Sequence, residues 1–183
     1  SVFENKISQK VQEQYTKNPY PRWEFNGKFE QKNQSLLQYL ERAVRQEINS
    51  HIFRKKIKNV LIAGCGTGQQ ILQLARNTND INITAIDLSI NSLSYAKRIV
   101  TDIGIKNVHF IKKDILTPFP SDIQNFDYIE CGGVLHHLEN PEKGLARLCE
   151  QLNSGGIMML ALYSRKGRQP LEVVKDFIKS NSM

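Results

Sequence analysis

The stretch NVLIAGCGTGQQILQLA, Asn59 to Ala75, decides how the rest of the chain is read. Four apolar residues, Val60 to Ala63, run into glycines at alternate positions, Gly64, Gly66 and Gly68, and these lead into apolar residues spaced as on one face of a helix. A strand ending in a glycine turn that opens a helix is the first unit of an open parallel sheet, where ligands settle beyond the carboxyl ends of the strands. Gly64 permits the turn, Gly66 lets ligand atoms lie against bare backbone, and Gly68 lets the following helix pack closely on the strand. The dinucleotide fingerprint wants a glycine at the sixth place, where this chain has Gln69, and no Gly-Lys-Ser or Gly-Lys-Thr follows to make a phosphate loop.

Downstream the pattern repeats. Strand-like runs NVLIAG, NITAID, VHFIKKD, FDYIECG and GGIMMLALYS alternate with helical segments near 69–77, 89–103 and 141–152, and ILTPFPSDIQN reads as a turn-rich crossover. The fold class expected is α/β, a Rossmann-like doubly wound parallel sheet of about five strands. One more helix is expected over QPLEVVKDFIKSNSM, and nothing after it resembles a sixth strand.

Upstream, Phe3, Ile7, Val11 and Tyr15 share a helical face, and a second helix is expected over about Gln34 to Ser50 with Leu36, Leu37, Leu40, Val44 and Ile48 on one side. Between them KNPYPRW cannot be helical: two prolines hold it extended, a stiff loop carrying Tyr20 and Trp23. Residues 1–50 thus read as a helical and aromatic-loop cap, and 51–183 as the ligand-binding domain.

Composition sets the outer bounds. With 183 residues, 40% of them hydrophobic, the chain suits one core. It has no apolar run long enough to span a membrane, and SVFENKISQK is not expected to act as a secretory leader. Three cysteines at wide spacing, Cys65, Cys131 and Cys149, suit a reducing compartment, so cytoplasm is expected. The net charge of +7 is scattered, so a nucleic-acid partner is possible but not favoured.

Two acids close strands. Asp87, ending NITAID, can accept from both hydroxyls of a ribose, and the competing reading is a helix cap, for which Ser89 is the rival. Asp114, in FIKKDIL, can accept from the exocyclic amine of adenine while the Ile115 amide meets a ring nitrogen; the alternative is an exposed acid paired with Lys112 or Lys113.

Taken in order, VLIAGCGTG, AIDLS, KKDIL, FDYIECGGVLHHLENP and LNSGGIMMLALYS resemble the class I S-adenosylmethionine-dependent methyltransferases, over Asn59 to about Ser164. The resemblance implies S-adenosyl-L-methionine as cofactor and S-adenosyl-L-homocysteine as product. It implies a cofactor site at Gly64, Cys65, Gly66, Thr67 and Gly68, at Asp87 with Leu88, at Asp114 with Ile115, and at Cys131 and Gly132. YTKNPYPRW is similar to the segment preceding this domain in a bacterial subgroup often attached to tetratricopeptide repeats; no such repeat is present here. Tyr15 and Arg22 are candidates to close over the cofactor, Arg22 by holding a carboxylate, with a Trp-anchored structural strap as the equal alternative.

Two departures stand out. Most family members carry an acid two places before the first glycine, where this chain has Ile62, and the family sheet ends in an antiparallel hairpin that is missing here. A piece of a longer protein is therefore expected, with the apolar fifth strand at a sheet edge, covered by the last helix or by a second copy in a homodimer.

Methyl transfer from a sulfonium is an in-line displacement, and a general base is optional. His136 and His137, after the fourth strand, are the candidates for that base; on a helix they project about 100° apart, so at most one is expected to face the pocket. Cys131 beside them lacks zinc-site spacing, so no metal is expected. The acceptor is unassigned, although ECGGVLHH is unlike the Asp-Pro-Pro-Tyr-like motif of DNA amino-methylating enzymes.

Overall fold

The structure, a computed structural model, describes residues 6–19, 23, 30–32, 34–48, 58–121, 123, 125–164, 167, 174, 177 and 180. Five strands, β1 (Asn59–Ala63), β2 (Asn82–Asp87), β3 (Val108–Lys112), β4 (Phe126–Gly132) and β5 (Leu152–Ala161), form one parallel sheet in the order β3-β2-β1-β4-β5. β1 is central and apolar on both faces, with Val60, Leu61 and Ile62 fully buried, as an interior parallel strand must be. The strand order reverses between β1 and β4, which places a crevice above their carboxyl ends.

Two apolar layers sandwich the sheet. On one face Val60, Ile62 and Ile83 pack against Leu36 and Leu40 of α2 (Leu36–Val44), Ile71 and Leu74 of α3 (Gln69–Asn77) and Leu93 of α4 (Ile90–Asp102). On the other, Leu61, Ile86 and Ile129 meet Leu148 of α5 (Pro141–Cys149) and the crossover residues Ile115 and Ile123. That crossover has no helix among its described residues, in keeping with its prolines. α1 (Lys6–Lys17) lies against α4, where Asn91 Nδ2 donates to the Thr16 carbonyl at 2.7 Å and Gln12 Nε2 to the Leu88 carbonyl at 3.3 Å.

The helix starts follow local chemistry. Ser35 and Gln38 make a reciprocal capping box on α2, Ser89 caps α4 by accepting from Ser92 N–H, and Asn140 caps α5 with Pro141 in its first turn. Two expected boundaries move. α2 ends at Val44 rather than near Ser50, because Arg45 takes a left-handed conformation (φ 55°) and its N–H bonds the Glu41 carbonyl. β5 starts at Leu152 rather than Gly155: Phe126 pairs with Leu152 but Tyr128 with Ile157, so extra β5 residues loop out, with Gly155 at φ 77°.

β5 is an edge strand, and beyond it Leu162 is 58% exposed. The proposed cover by the last helix falls mostly outside the described residues; of those that are described there, Val174 and Phe177 lie in helical backbone and are exposed. No helix among the described residues is long and apolar enough to cross a membrane.

Candidate functional site

A crevice of about 340 Å³ opens above the sheet at the reversal point. Each of the first four strands sends its carboxyl-end loop into the wall: Gly64, Cys65 and Gly66 after β1, Asp87 and Leu88 from the end of β2, Lys113, Asp114 and Ile115 after β3, and Gly132 to Val134 after β4. Val11 and Tyr15 of α1, Gln70 and Gln73 of α3, Ser92 of α4, His137 and Tyr163 also line it.

The glycine turn is locked to its neighbour strand. The amides of Gly64 and Cys65 both donate to the Ile86 carbonyl, at 2.8 and 3.0 Å, and Gly66 N–H donates to Asp87 Oδ2 at 2.8 Å. Gly64 sits at φ 78°, and a Cβ there would lie 2.3 Å from Val134 Cγ2, so both backbone and space demand glycine. Gly68 is likewise required, at φ 90°, but its close neighbour is Ala96 of α4, 2.8 Å from a would-be Cβ, and not the strand expected from the sequence.

Asp87 is held twice: Oδ1 accepts from Ser89 N–H at 2.8 Å while Oδ2 takes Gly66. Ser89 performs the helix cap that competed for Asp87, so this acid is left facing the crevice. Burial raises its pKa, and the backbone hydrogen bonds pull the other way. Each oxygen retains acceptor capacity toward a hydroxyl.

Asp114 is not the exposed, lysine-paired acid of the alternative reading. It is 1% exposed; Oδ1 accepts from Leu116 N–H at 2.9 Å, while Oδ2 is buried with no hydrogen-bond partner. Lys113 instead donates to Thr117 Oγ1 and the Pro118 carbonyl, both at 2.9 Å, and lies over the Phe119 ring. A buried carboxylate oxygen left open beside a cavity calls for a donor from a ligand.

Several residues expected at the site stand elsewhere. Thr67 is fully buried away from the crevice wall, and its hydroxyl receives Trp23 Nε1–H at 3.1 Å; Tyr95 in turn donates to the Trp23 carbonyl. Trp23 is thus tied to the glycine turn through Thr67 and to α4 through Tyr95. Cys131 is fully buried in the apolar layer on the α5 face, where desolvation pushes its thiol up to about 12. Cys65 does reach the wall, with a thiol raised by burial and then by Asp87. Arg22 lies outside the described residues.

The histidines occupy a single 3-10 turn, Leu135–His137, and do not splay apart as they would on an α-helix. Their Nε2 atoms meet at 3.0 Å and their ring centroids at 4.2 Å. His137 lines the crevice; His136 stacks behind it on Tyr163, at 4.1 Å between centroids. A hydrogen bond between two Nε2 atoms needs one donor and one acceptor, so one ring carries no proton at that nitrogen. Tyr15 meets His137 edge-on at 6.3 Å. Among the described residues no group of three metal-ligating side chains gathers.

The sequence reading passed over Glu130. It is 7% exposed on β4, accepts from the Tyr128 hydroxyl at 3.3 Å, and is pushed up to about 7 by burial. Its register partner on β1 is Ile62.

A family described as methyltransferase domain matches residues 54–182, and the chain belongs to it. An uncharacterised protein of Synechococcus sp. is 37% identical over 122 residues, which cover 65% of this chain and 28% of that protein. PKMT2 from Rickettsia typhi, solved in complex with AdoHcy, superposes with a TM-score of 0.58 at 25% identity, over 69% of this chain and 25% of its own. The cyclase SpnF superposes at 0.59 with 25% identity, over 84% of this chain and 59% of its own. The chain spans less than two thirds of the length of each of these relatives.

Proposed function

We propose that the chain binds S-adenosyl-L-methionine in this crevice and transfers its methyl group to an acceptor nucleophile, releasing S-adenosyl-L-homocysteine. The observation that carries the reading is Asp114 Oδ2, a buried, unpartnered acceptor on a residue that lines the same crevice as Asp87 and the glycine turn. Membership of the methyltransferase family and the AdoHcy held by the Rickettsia protein support it. The cofactor is S-adenosyl-L-methionine, which supplies an electrophilic methyl group on a sulfonium.

The chain's own residues then divide the work. Asp114 Oδ2 accepts from the adenine amine, Asp87 from the ribose hydroxyls, and Gly64 to Gly66 leave room for the remainder. Val11, Tyr15 and Tyr163 shield the rim from water. His137 is the group placed to take a proton from an attacking hydroxyl or carbon acid, with His136 fixing its ring through the Nε2 contact. In this reading residues 1–50 form the cap, related to that of the repeat-bearing bacterial subgroup, and 51–183 the cofactor domain. The three free cysteines suit the cytoplasm.

A second reading, cofactor or partner binding without methyl transfer, is favoured by Ile62, fully buried where the resemblance puts an acid. Titration calorimetry with S-adenosylmethionine and S-adenosylhomocysteine, then transfer of labelled methyl to small-molecule, peptide and RNA acceptors, separates the two. Binding with transfer establishes the enzyme, binding without transfer to any acceptor establishes the second reading, and absence of binding removes the cofactor from both.

A further inference from the structure

We propose that Glu130 supplies the negative charge for the cofactor's α-ammonium group, taking from β4 the task that the acid missing at Ile62 would have performed from β1. This rests on the assignment of the crevice to S-adenosylmethionine. The argument is one of register. Ile62 and Glu130 are paired across adjacent parallel strands, so their side chains leave the same face of the sheet one strand spacing apart, about 4.8 Å. Each lies beneath the crevice wall, two residues before one of its glycines: Gly64, just past β1, and Gly132, at the end of β4. The acid is therefore displaced sideways, not lost, and the longer side chain of a glutamate covers part of that distance.

The surroundings fit a charge kept for a ligand. Glu130 lies on the face whose buried layer is otherwise apolar, formed by Val60, Ile62, Ile71 and Leu74. Within it stands a small polar cluster. Tyr128 donates to Glu130, the Glu130 charge raises the Tyr39 phenol after burial does, and Tyr39 bonds the side chain of Gln73, which lines the crevice. Among the described residues no cation bonds Glu130; a carboxylate buried against two phenols is costly for folding alone, and an incoming ammonium group provides a counter-charge.

The test is binding, read without turnover. Three probes are titrated into the wild-type protein and Glu130→Gln: S-adenosylhomocysteine, its analogue lacking the α-amino group, and 5′-methylthioadenosine. The expected result is that the substitution weakens S-adenosylhomocysteine at least about tenfold while leaving the other two unchanged. In the wild-type protein the amino group itself then confers a preference for S-adenosylhomocysteine over the deaminated analogue. Equal weakening of all three probes, or none, overturns the role of Glu130, and so does equal wild-type affinity for the first two. Failure of the wild type to bind any adenosine probe overturns the cofactor assignment as well, which keeps the two failures distinct.

Discussion

Asp87 Oδ2 accepts the backbone N–H of Gly66 at 2.8 Å, so the acid that ends β2 and the glycine turn that follows β1 are one hydrogen-bonded unit. The same carboxylate takes Ser89 N–H through its other oxygen. An amide cannot replace it, because one of the two N–H groups would then face an NH2. Asp87→Asn is expected to cost about 1–3 kcal/mol of stability and to weaken S-adenosylhomocysteine at least about tenfold, read by thermal melting and calorimetry.

Gly64→Ala combines two penalties. The new Cβ would stand 2.3 Å from Val134 Cγ2, and the backbone sits at φ 78°. Overpacking and left-handed strain together predict a loss of about 2–4 kcal/mol. Adding Val134→Ala removes the contact but not the strain, so denaturant melts of the double variant should show partial recovery.

How much of this was legible in the sequence depends on range. β1 was readable because an interior parallel strand is buried on both faces and comes out as an unbroken apolar run, and Asp87 and Asp114 were readable because they follow strand-like runs at the carboxyl end of the sheet. The end of α2 was not, since the apolar spacing continues through Val44 to Ile48 while Arg45 turns left-handed. Nor was the bond from Trp23 to Thr67, which joins residues 44 apart and turns the hydroxyl of a presumed cofactor residue toward Trp23. Glu130 was hidden by its own strand: an acid in FDYIECG reads as simple alternation. Its place two residues before Gly132, matching Ile62 before Gly64, was the signal that could have found it.

Glu130 also predicts how stability varies with pH. Burial places its folded pKa at about 7 against an ordinary 4.5. The folded state therefore binds the proton more tightly, so this group's contribution is full below about 4.5 and is lost as the pH rises through 7. Asp87 is raised in the same direction, and the neighbouring phenols Tyr39 and Tyr128 are raised too and stay neutral. Without ligand, Glu130→Gln should stabilise the protein at pH 8 by on the order of 1–3 kcal/mol, with the gain shrinking toward pH 5. Melting curves across that range check it.

His137 and His136 share a contact that only one proton can fill. If His137 is the base, His137→Ala should lower methyl transfer about 100-fold and leave S-adenosylhomocysteine affinity close to wild type, because its ring packs on Tyr15, His136 and Tyr163 while the adenosine is assigned to Asp87 and Asp114. An equal fall in affinity, measured by calorimetry beside the transfer assay, would assign His137 to binding instead.

Asp114 permits the sharpest test of the adenine assignment, since its two oxygens have separate duties. Oδ1 is occupied by Leu116 N–H, and this fixes which way an amide would sit in Asp114→Asn: the carbonyl oxygen keeps Leu116 and the NH2 takes the place of Oδ2. The variant therefore keeps its internal hydrogen bond and should melt close to wild type. At the crevice, however, an acceptor has become a donor. The exocyclic amine of adenine then meets another donor, whereas the carbonyl of hypoxanthine finds a partner. Calorimetry should show S-adenosylhomocysteine weakened at least about tenfold and S-inosylhomocysteine strengthened relative to it. Unchanged preference between the two nucleosides, in a variant that melts normally, would mean that Oδ2 does not read the base.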